Sequence, residues 1–243
     1  MYNRPTPAAG RGTAMRIGLV GLGIIGQALA RAIDQGEIAA ELTAVHSRNQ
    51  DKARAFLQTL QHPAAVVALA EVIARCDLVV EAATQEVLTA MTPTVLQAGK
   101  DLMMLSVGAL LEHPEWVPLA AQHRCRLYVP SGAIVGLDGL KGACIGQVDT
   151  VTITTRKPPQ GLEGAPYVVA QHIDVYAFST DTVIFEGSAR DACQGFPANV
   201  NVAAAISLAG IGPDRTRIRI LVAPGSTRNM HDVEVVGEFG RLT

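Results

Sequence analysis

The sequence has little net charge, few lysines and no long apolar run, and each shortage narrows the possible function. A formal net charge of −2 leaves no positive field for nucleic acid or an anionic membrane. No run of about 18 apolar residues occurs, so we predict no membrane-spanning helix. Residues 1–14 lack the apolar centre of a signal peptide, and we expect a disordered lead-in there.

The four cysteines, Cys76, Cys125, Cys144 and Cys193, show neither C-x-x-C nor metal-ligand spacing. We therefore expect reduced, buried thiols in a cytoplasmic protein and no metal site.

A glycine-rich turn in MRIGLVGLGIIGQALAR, residues 15–31, is the most informative motif. It has the G-x-G-x-x-G spacing between a short apolar strand and a helix, which is the context of a dinucleotide-binding turn. Gly21 permits the sharp turn, Gly23 allows a pyrophosphate to approach, and Gly26 allows helix and strand to pack closely. The helix N-terminus offers free N–H groups to the phosphates, so Ile24 and Ile25 join the predicted cofactor contacts.

The cofactor's ribose is expected at the end of a second strand, residues 41–46. An acidic residue there would favour NAD, but Ser47 and Arg48 follow this strand instead. Because Arg48 and Ser47 can hold a phosphate, we expect NADP to be accepted beside NAD, although Arg48 could equally be a solvated loop residue. Ala82 and Ala83, after a later strand, would leave room for the nicotinamide ribose.

Alternating strand and helix patterns predict an α/β fold, a Rossmann-type doubly wound parallel sheet over residues 15–130. Within it we expect one helix over residues 110–122, despite Pro114 and Pro118. Residues 131–243 are predicted to form a second, α+β domain for substrate binding and dimerisation. Its mostly antiparallel sheet would place one face on helices and the other toward an interface, so we expect a homodimer.

Polar residues that could carry chemistry cluster in the second half. Asn199 and Asn201 begin an apolar helix, where one could cap it and the other bind a ligand. His231 starts an alternating strand next to Asp232, and an imidazole suits proton transfer at a carbonyl or imine. The residues alone leave open whether these side chains are functional or structural.

Four segments together resemble the L-aspartate dehydrogenase family, which is related in fold to homoserine dehydrogenases: GLGIIG, YVPSGAIVGLDGLKGA, FEGSARDACQGFPANVNVAAAISLAGIG and TRNMHDVEVVGEFG. The resemblance implies NAD- or NADP-dependent oxidation of L-aspartate to iminoaspartate, which gives oxaloacetate and ammonia or serves NAD biosynthesis. By motif position, His231 would be the catalytic histidine, Asn201 a contact on the nicotinamide side, and Ala133 a backbone contact to the cofactor.

A dianionic substrate needs hydrogen-bonding or cationic partners for both carboxylates. The candidates for this role are Ser131, Lys141, Asn199, Arg228 and Asn229. Family members usually continue past the GEFGR segment with an Asn-Pro-Lys-Thr-Ser-like motif and a final helix, whereas the printed sequence ends at Thr243. The resemblance therefore carries over no substrate contact or interface packing from that segment.

Two other functions compete with this one. A homoserine dehydrogenase-like or dihydrodipicolinate reductase-like enzyme would use a lysine base, and with only four lysines in the chain that role falls mainly on Lys141. A nucleotide-sensing protein without turnover is the second alternative. Formation of NAD(P)H with L-aspartate, with homoserine and without substrate distinguishes the three.

Overall fold

The computed structural model describes residues 14–132, 134–197 and 201–243, which form two compact units. The first unit comprises residues up to 104 together with 119–128, and the second comprises 105–118 together with 129–243. The predicted lead-in therefore lies, apart from Ala14, outside the described residues. None of the helices in the described ranges combines the length and apolar character that crossing a membrane requires.

The first unit is built on a six-stranded parallel sheet in the order β3-β2-β1-β4-β5-β6. Its strands are β1 (Met15–Val20), β2 (Ala40–His46), β3 (Ala65–Val66), β4 (Leu78–Glu81), β5 (Asp101–Met104) and β6 (Leu127–Tyr128). The helices that connect β1 through β5 are α1 (Ile24–Asp34), α2 (Gln50–Leu57), α3 (Leu69–Arg75) and α4 (Gln85–Gln97). The strand order reverses beside β1, the position at which doubly wound folds bind their ligand. The predicted parallel sheet is confirmed.

The helix expected over residues 110–122 is wrong as a single element. The chain forms α5 (Ala109–Glu112) and, after a break, α6 (Trp116–Gln122). The break falls at His113, which has φ −123° and ψ 60°, because a proline disfavours helical backbone in the residue before it. Pro118 is tolerated because it lies in the first turn of α6, where no N–H is needed.

The second unit contains a five-stranded mixed sheet in the order β11-β10-β7-β9-β8. The strands are β7 (Val148–Lys157), β8 (Thr182–Ser188), β9 (Thr216–Val222), β10 (Met230–Gly237) and β11 (Gly240–Leu242). All neighbours are antiparallel except β7 and β9, which agrees with the expected mostly antiparallel sheet. Besides α5, its helices are α7 (Leu137–Ala143), α8 (Pro166–Ala170), α9 (Ala189–Gly195) and α10 (Asn201–Ala209), with a 3₁₀ turn at Pro159–Gly161.

The alternating pattern of β7 divides this sheet into two faces. Val151 and Ile153 are fully buried in a core that includes Phe196 and Ile206, whereas Thr152, Thr154 and Arg156 on the opposite face are partly exposed. Since successive side chains of a strand point to opposite faces, Thr155 and Lys157 belong to the buried row. Thr155 and Lys157 are thus polar side chains on the apolar face at the end of β7, and the candidate active site described below includes this end of the strand.

Candidate active site

The glycine turn of the first unit is packed against the end of β4. Gly21 has φ +96°, and its N–H donates to the carbonyl of His46 at 2.8 Å. A Cβ at Gly21 would lie 2.4 Å from the Ala82 carbonyl oxygen, and one at Gly26 would lie 2.3 Å from the Gly21 oxygen. No described atom lies within 4 Å of a Cβ at Gly23. The open side of the turn is therefore at Gly23, as binding of a pyrophosphate requires.

The N-terminus of α1 is arranged for an anion. Within the described chain, no side chain caps this helix at Gly23, and its first turn contains no acidic residue. Free N–H groups and the positive end of the helix dipole therefore meet at the open turn. Ile24 is 91% exposed and Ile25 59%, unusual values for isoleucines at the edge of a core. The turn thus fits a dinucleotide and offers apolar surface beside the phosphates.

The residues after β2 lie where the ribose prediction placed them. The ring of His46 is fixed by a 3.0 Å hydrogen bond between Nδ1 and the carbonyl of Val67. Ser47 is partly buried and Arg48 is exposed. The next residue, Asn49, caps α2 by accepting a hydrogen bond from the Lys52 N–H at 3.0 Å. Arg48 is therefore exposed on the short, locally ordered connection between β2 and α2.

Glu81 fixes the other side of the glycine turn. Its side chain is fully buried at the end of β4, and Oε1 accepts a 2.7 Å hydrogen bond from the Ala83 N–H. This bond holds the Ala82–Ala83 turn, whose carbonyl packs against Gly21. Ala83 itself is exposed, and its place beside the nicotinamide ribose stays a prediction.

In the second unit, Asn201 is exposed at the first position of α10. Its Oδ1 accepts a 3.4 Å hydrogen bond from the Gly108 N–H. Asn201 therefore connects α10 to the segment before α5. Two other predicted site residues, Ala133 and Asn199, lie outside the described residues.

His231 occupies the second position of β10, directly opposite Thr155 of β7. Its Nδ1 lies 3.0 Å from the Thr155 hydroxyl oxygen, which fixes the orientation of the ring. Burial lowers the pKa of His231, the positive charge of Lys157 lowers it further, and the carboxylate of Asp232 acts in the opposite sense. Asp232 pairs with Arg156 on the other face of the sheet. The imidazole is thus held in its neutral, proton-accepting form at neutral pH.

A cavity of about 550 Å³ adjoins this histidine. Its walls include His231 and Val233 of β10, Ile206 of α10, and the cations Arg156 and Arg219. The oriented imidazole and the apolar wall suit a small substrate, whereas Arg156 and Arg219 lie on the other face of the sheet and are paired with Asp232 and Glu186.

Sequence reasoning missed Thr155 and Lys157. Lys157 is only 3% exposed, and burial lowers its pKa to about 8. Thr155 and Lys157 continue the buried alternation of Val151 and Ile153 along β7, and this alternation is the signal that could have found them. Polar residues on the apolar side of an alternating strand are candidates for a site.

The predicted carboxylate ligands occupy different settings. Asn229 lies near Lys157, since a Cβ at Gly161 would be 3.9 Å from both Asn229 Oδ1 and Lys157 Cβ. Ser131 and Lys141 are exposed, Lys141 in the last turn of α7. Arg228 is exposed in a turn closed by Ser226. Of these residues, the structure places Asn229 beside the polar residues of the β7 end, and the roles of the others stay predictions.

Comparisons with known proteins agree with both halves of this picture. Residues 21–130 match the family model described as homoserine dehydrogenase, NAD binding domain, and residues 138–243 match the one described as aspartate dehydrogenase, C-terminal. The open glycine turn thus belongs to a domain that binds a nicotinamide dinucleotide.

Whole-chain relatives extend the match. An L-aspartate dehydrogenase of Methanosarcina mazei is 46% identical over 94% of this chain and 86% of its own length. One from Bradyrhizobium diazoefficiens is 42% identical over 94% of this chain and 81% of its own length. The crystal structure of aspartate dehydrogenase from Thermotoga maritima aligns with a TM-score of 0.72 and 25% identity, covering 94% of this chain and 87% of that one. The chain therefore belongs to the L-aspartate dehydrogenase family.

Proposed function

We propose that this chain oxidises L-aspartate with NAD or NADP to iminoaspartate, which water converts to oxaloacetate and ammonia. The observation that carries this proposal is the neutral imidazole of His231, oriented by Thr155 on the wall of a cavity. A nicotinamide dinucleotide held at the glycine turn would supply the acceptor for the hydride that leaves the substrate Cα. The chain itself binds and orients the substrate and moves protons.

His231 performs the proton transfer in this proposal. In this proposal Nδ1 carries the hydrogen of the neutral ring and donates it to the Thr155 hydroxyl oxygen, so Nε2 is the atom that takes a proton from the substrate ammonium group or from the water that attacks the imine. A depressed pKa suits this role, because the ring stays unprotonated near pH 7. Asn201 serves the nicotinamide side, and Ala133 contributes a backbone contact.

Spectrophotometric detection of NAD(P)H tests the activity. We expect formation with L-aspartate and none with homoserine or without substrate. H231A should lower kcat about 10²- to 10⁴-fold and leave dinucleotide affinity unchanged. H172A, at an exposed histidine, is the matched control. Wild-type turnover in H231A would refute the catalytic assignment. Cofactor binding without turnover on any amino acid would favour a nucleotide sensor, and turnover of homoserine would favour the related enzyme class.

For the cofactor, we propose that Ser47 and Arg48 hold the 2′-phosphate of NADP. Arg48 is exposed at the end of β2 and can form charge-assisted hydrogen bonds to a phosphate. R48A should weaken NADP binding about tenfold, with little change for NAD. R54A, at a neighbouring helix position, is the control. An unchanged ratio of the two affinities would contradict the proposal.

We further propose a homodimer formed through the open face of the second unit's sheet. This face carries Thr152, Thr154 and Arg156, with an Arg219–Glu186 ion pair beside them. A two-fold axis would bring identical mixed-charge surfaces together. T154R should shift the mass measured by light scattering from dimer to monomer, whereas V169R on α8 should not. A monomeric wild type would contradict this interface.

We also propose two domains: residues 15–130 bind the dinucleotide, and residues 131–243 bind the substrate and dimerise. The presence of two separate sheets, one parallel and one mixed, supports this division. A fragment of residues 15–130 that binds NAD(H) would support it, and one that folds without binding would contradict it.

We place the protein in the cytoplasm, since all four cysteines are free. In a bacterium that needs nicotinate because it cannot make iminoaspartate, the chain should restore growth if it feeds NAD biosynthesis.

A further inference from the structure

Lys157 lies in the same row of side chains as the catalytic candidate. Thr155 is paired with His231 across β7 and β10, and Lys157 follows two residues later on the same face. Lysine at this position is a diagonal neighbour of His231, within reach of a long side chain. The effect of its charge on the pKa of His231 agrees with this proximity.

The 3₁₀ turn after β7 adds an amide to this row. Gly161 packs near both Lys157 and Asn229, each 3.9 Å from the position a Cβ would take. Asn229 precedes β10 by one residue, so continuing the strand register brings it opposite Lys157. Lys157, Asn229 and His231 are therefore neighbours in the strand register at one end of the sheet.

Such a group of side chains is suited to a carboxylate. The ammonium group is almost fully removed from water, and its pKa of about 8 still leaves it mostly protonated at neutral pH. A substrate carboxylate would accept a charge-assisted hydrogen bond from this ammonium group. A protonated lysine is a poor base, so this position favours binding over proton abstraction.

We propose that Lys157 binds one carboxylate of the substrate beside His231, with Asn229 in the same subsite, and thereby selects dicarboxylic amino acids. This inference rests on the proposed function and deepens it. It assigns substrate recognition to a residue that none of the sequence motifs identified.

Kinetics of K157M provide the first test, with K52M as the matched control at an exposed lysine of α2. We expect the KM for L-aspartate to rise about 10- to 100-fold in K157M, with kcat within about fivefold of wild type. K52M should leave both unchanged. A loss of kcat at unchanged KM, or kinetics equal to those of K52M, would overturn the proposal. K157Q replaces K157M should the latter fail to fold.

Calorimetric binding tests the same subsite without turnover. Wild type should bind succinate more tightly than its monoamide succinamate, and K157M should lose this preference. An equal loss of affinity for both ligands would indicate general damage to the protein and would overturn the assignment. A wild type that does not oxidise L-aspartate but shows the Lys157-dependent preference would refute the proposed function while the carboxylate subsite stands. NMR titration should also show a higher His231 pKa in K157M, and an unchanged value would contradict the geometry.

Discussion

The three glycines of the turn should separate into two functional classes when replaced by alanine. At Gly21, alanine would adopt φ +96° at a cost of about 1–2 kcal/mol. Its Cβ would also meet the Ala82 carbonyl oxygen at 2.4 Å, adding about 1–3 kcal/mol, because that atom belongs to the backbone at the end of β4. We expect G21A to lose roughly 2–5 kcal/mol of stability.

Gly23 provides the contrast. Its φ of −76° and ψ of −160° suit any residue, and a Cβ there meets no described atom within 4 Å. G23A should therefore change the stability of the cofactor-free protein by less than about 0.5 kcal/mol. The methyl group would project into the space proposed for the pyrophosphate, so we expect about tenfold or greater weakening of NAD binding.

Two measurements on the same preparations check this pair. Thermal unfolding without cofactor should show a Tm lower by roughly 4–20 °C for G21A, at about 2–4 °C per kcal/mol in a chain of this size, and no shift for G23A. Calorimetry should show weaker NAD binding by G23A. Equal destabilisation of the two variants, or unchanged NAD affinity of G23A, would refute the assignment of Gly23 as the open side of the turn.

Three further predictions concern buried polar groups. Burial lowers the pKa of Lys157 from 10.5 to about 8, which corresponds to a cost of up to roughly 3 kcal/mol for the charged form. K157M should therefore be more stable than wild type in urea at pH 7, and the gap should shrink as the pH rises from 8 toward 10.5; lower stability at pH 7 would contradict this. T155V should reduce kcat and move the acidic limb of the pH profile, because it removes the hydroxyl that orients His231; an unaltered profile would count against that role. Asp34 accepts hydrogen bonds from the backbone N–H groups of Gln61 and His62, which lower its pKa. Its contribution is present above about pH 4 and disappears as the pH falls through the lowered pKa, so acid unfolding of D34N should lack this component.

Local patterns were sufficient for most of the fold. Apolar runs such as residues 78–81 and the alternation along β7 indicate strands, because burial on two faces or on one face leaves a direct pattern in the sequence. The short elements were harder: α8, α9 and β11 have five, seven and three residues, and too few positions to show a period. The helix breaks at His113 because Pro114 restricts the backbone of the residue before it. This restriction outweighs the helical pattern of the surrounding residues.

The sequence by itself determined that a dinucleotide turn exists at Gly21–Gly26 and that His231 begins an alternating strand. Both are local facts, since spacing along one element sets which groups share a face or a turn. Only the tertiary structure decided that Thr155 orients His231, that Lys157 and Asn229 lie near it, and that Gly23 alone among the three glycines faces open space. His231 and Thr155 are separated by 76 residues, and the register of β10 on β7 brings them together. Strand register depends on the packing of the whole sheet, so no local pattern could have assigned these partners.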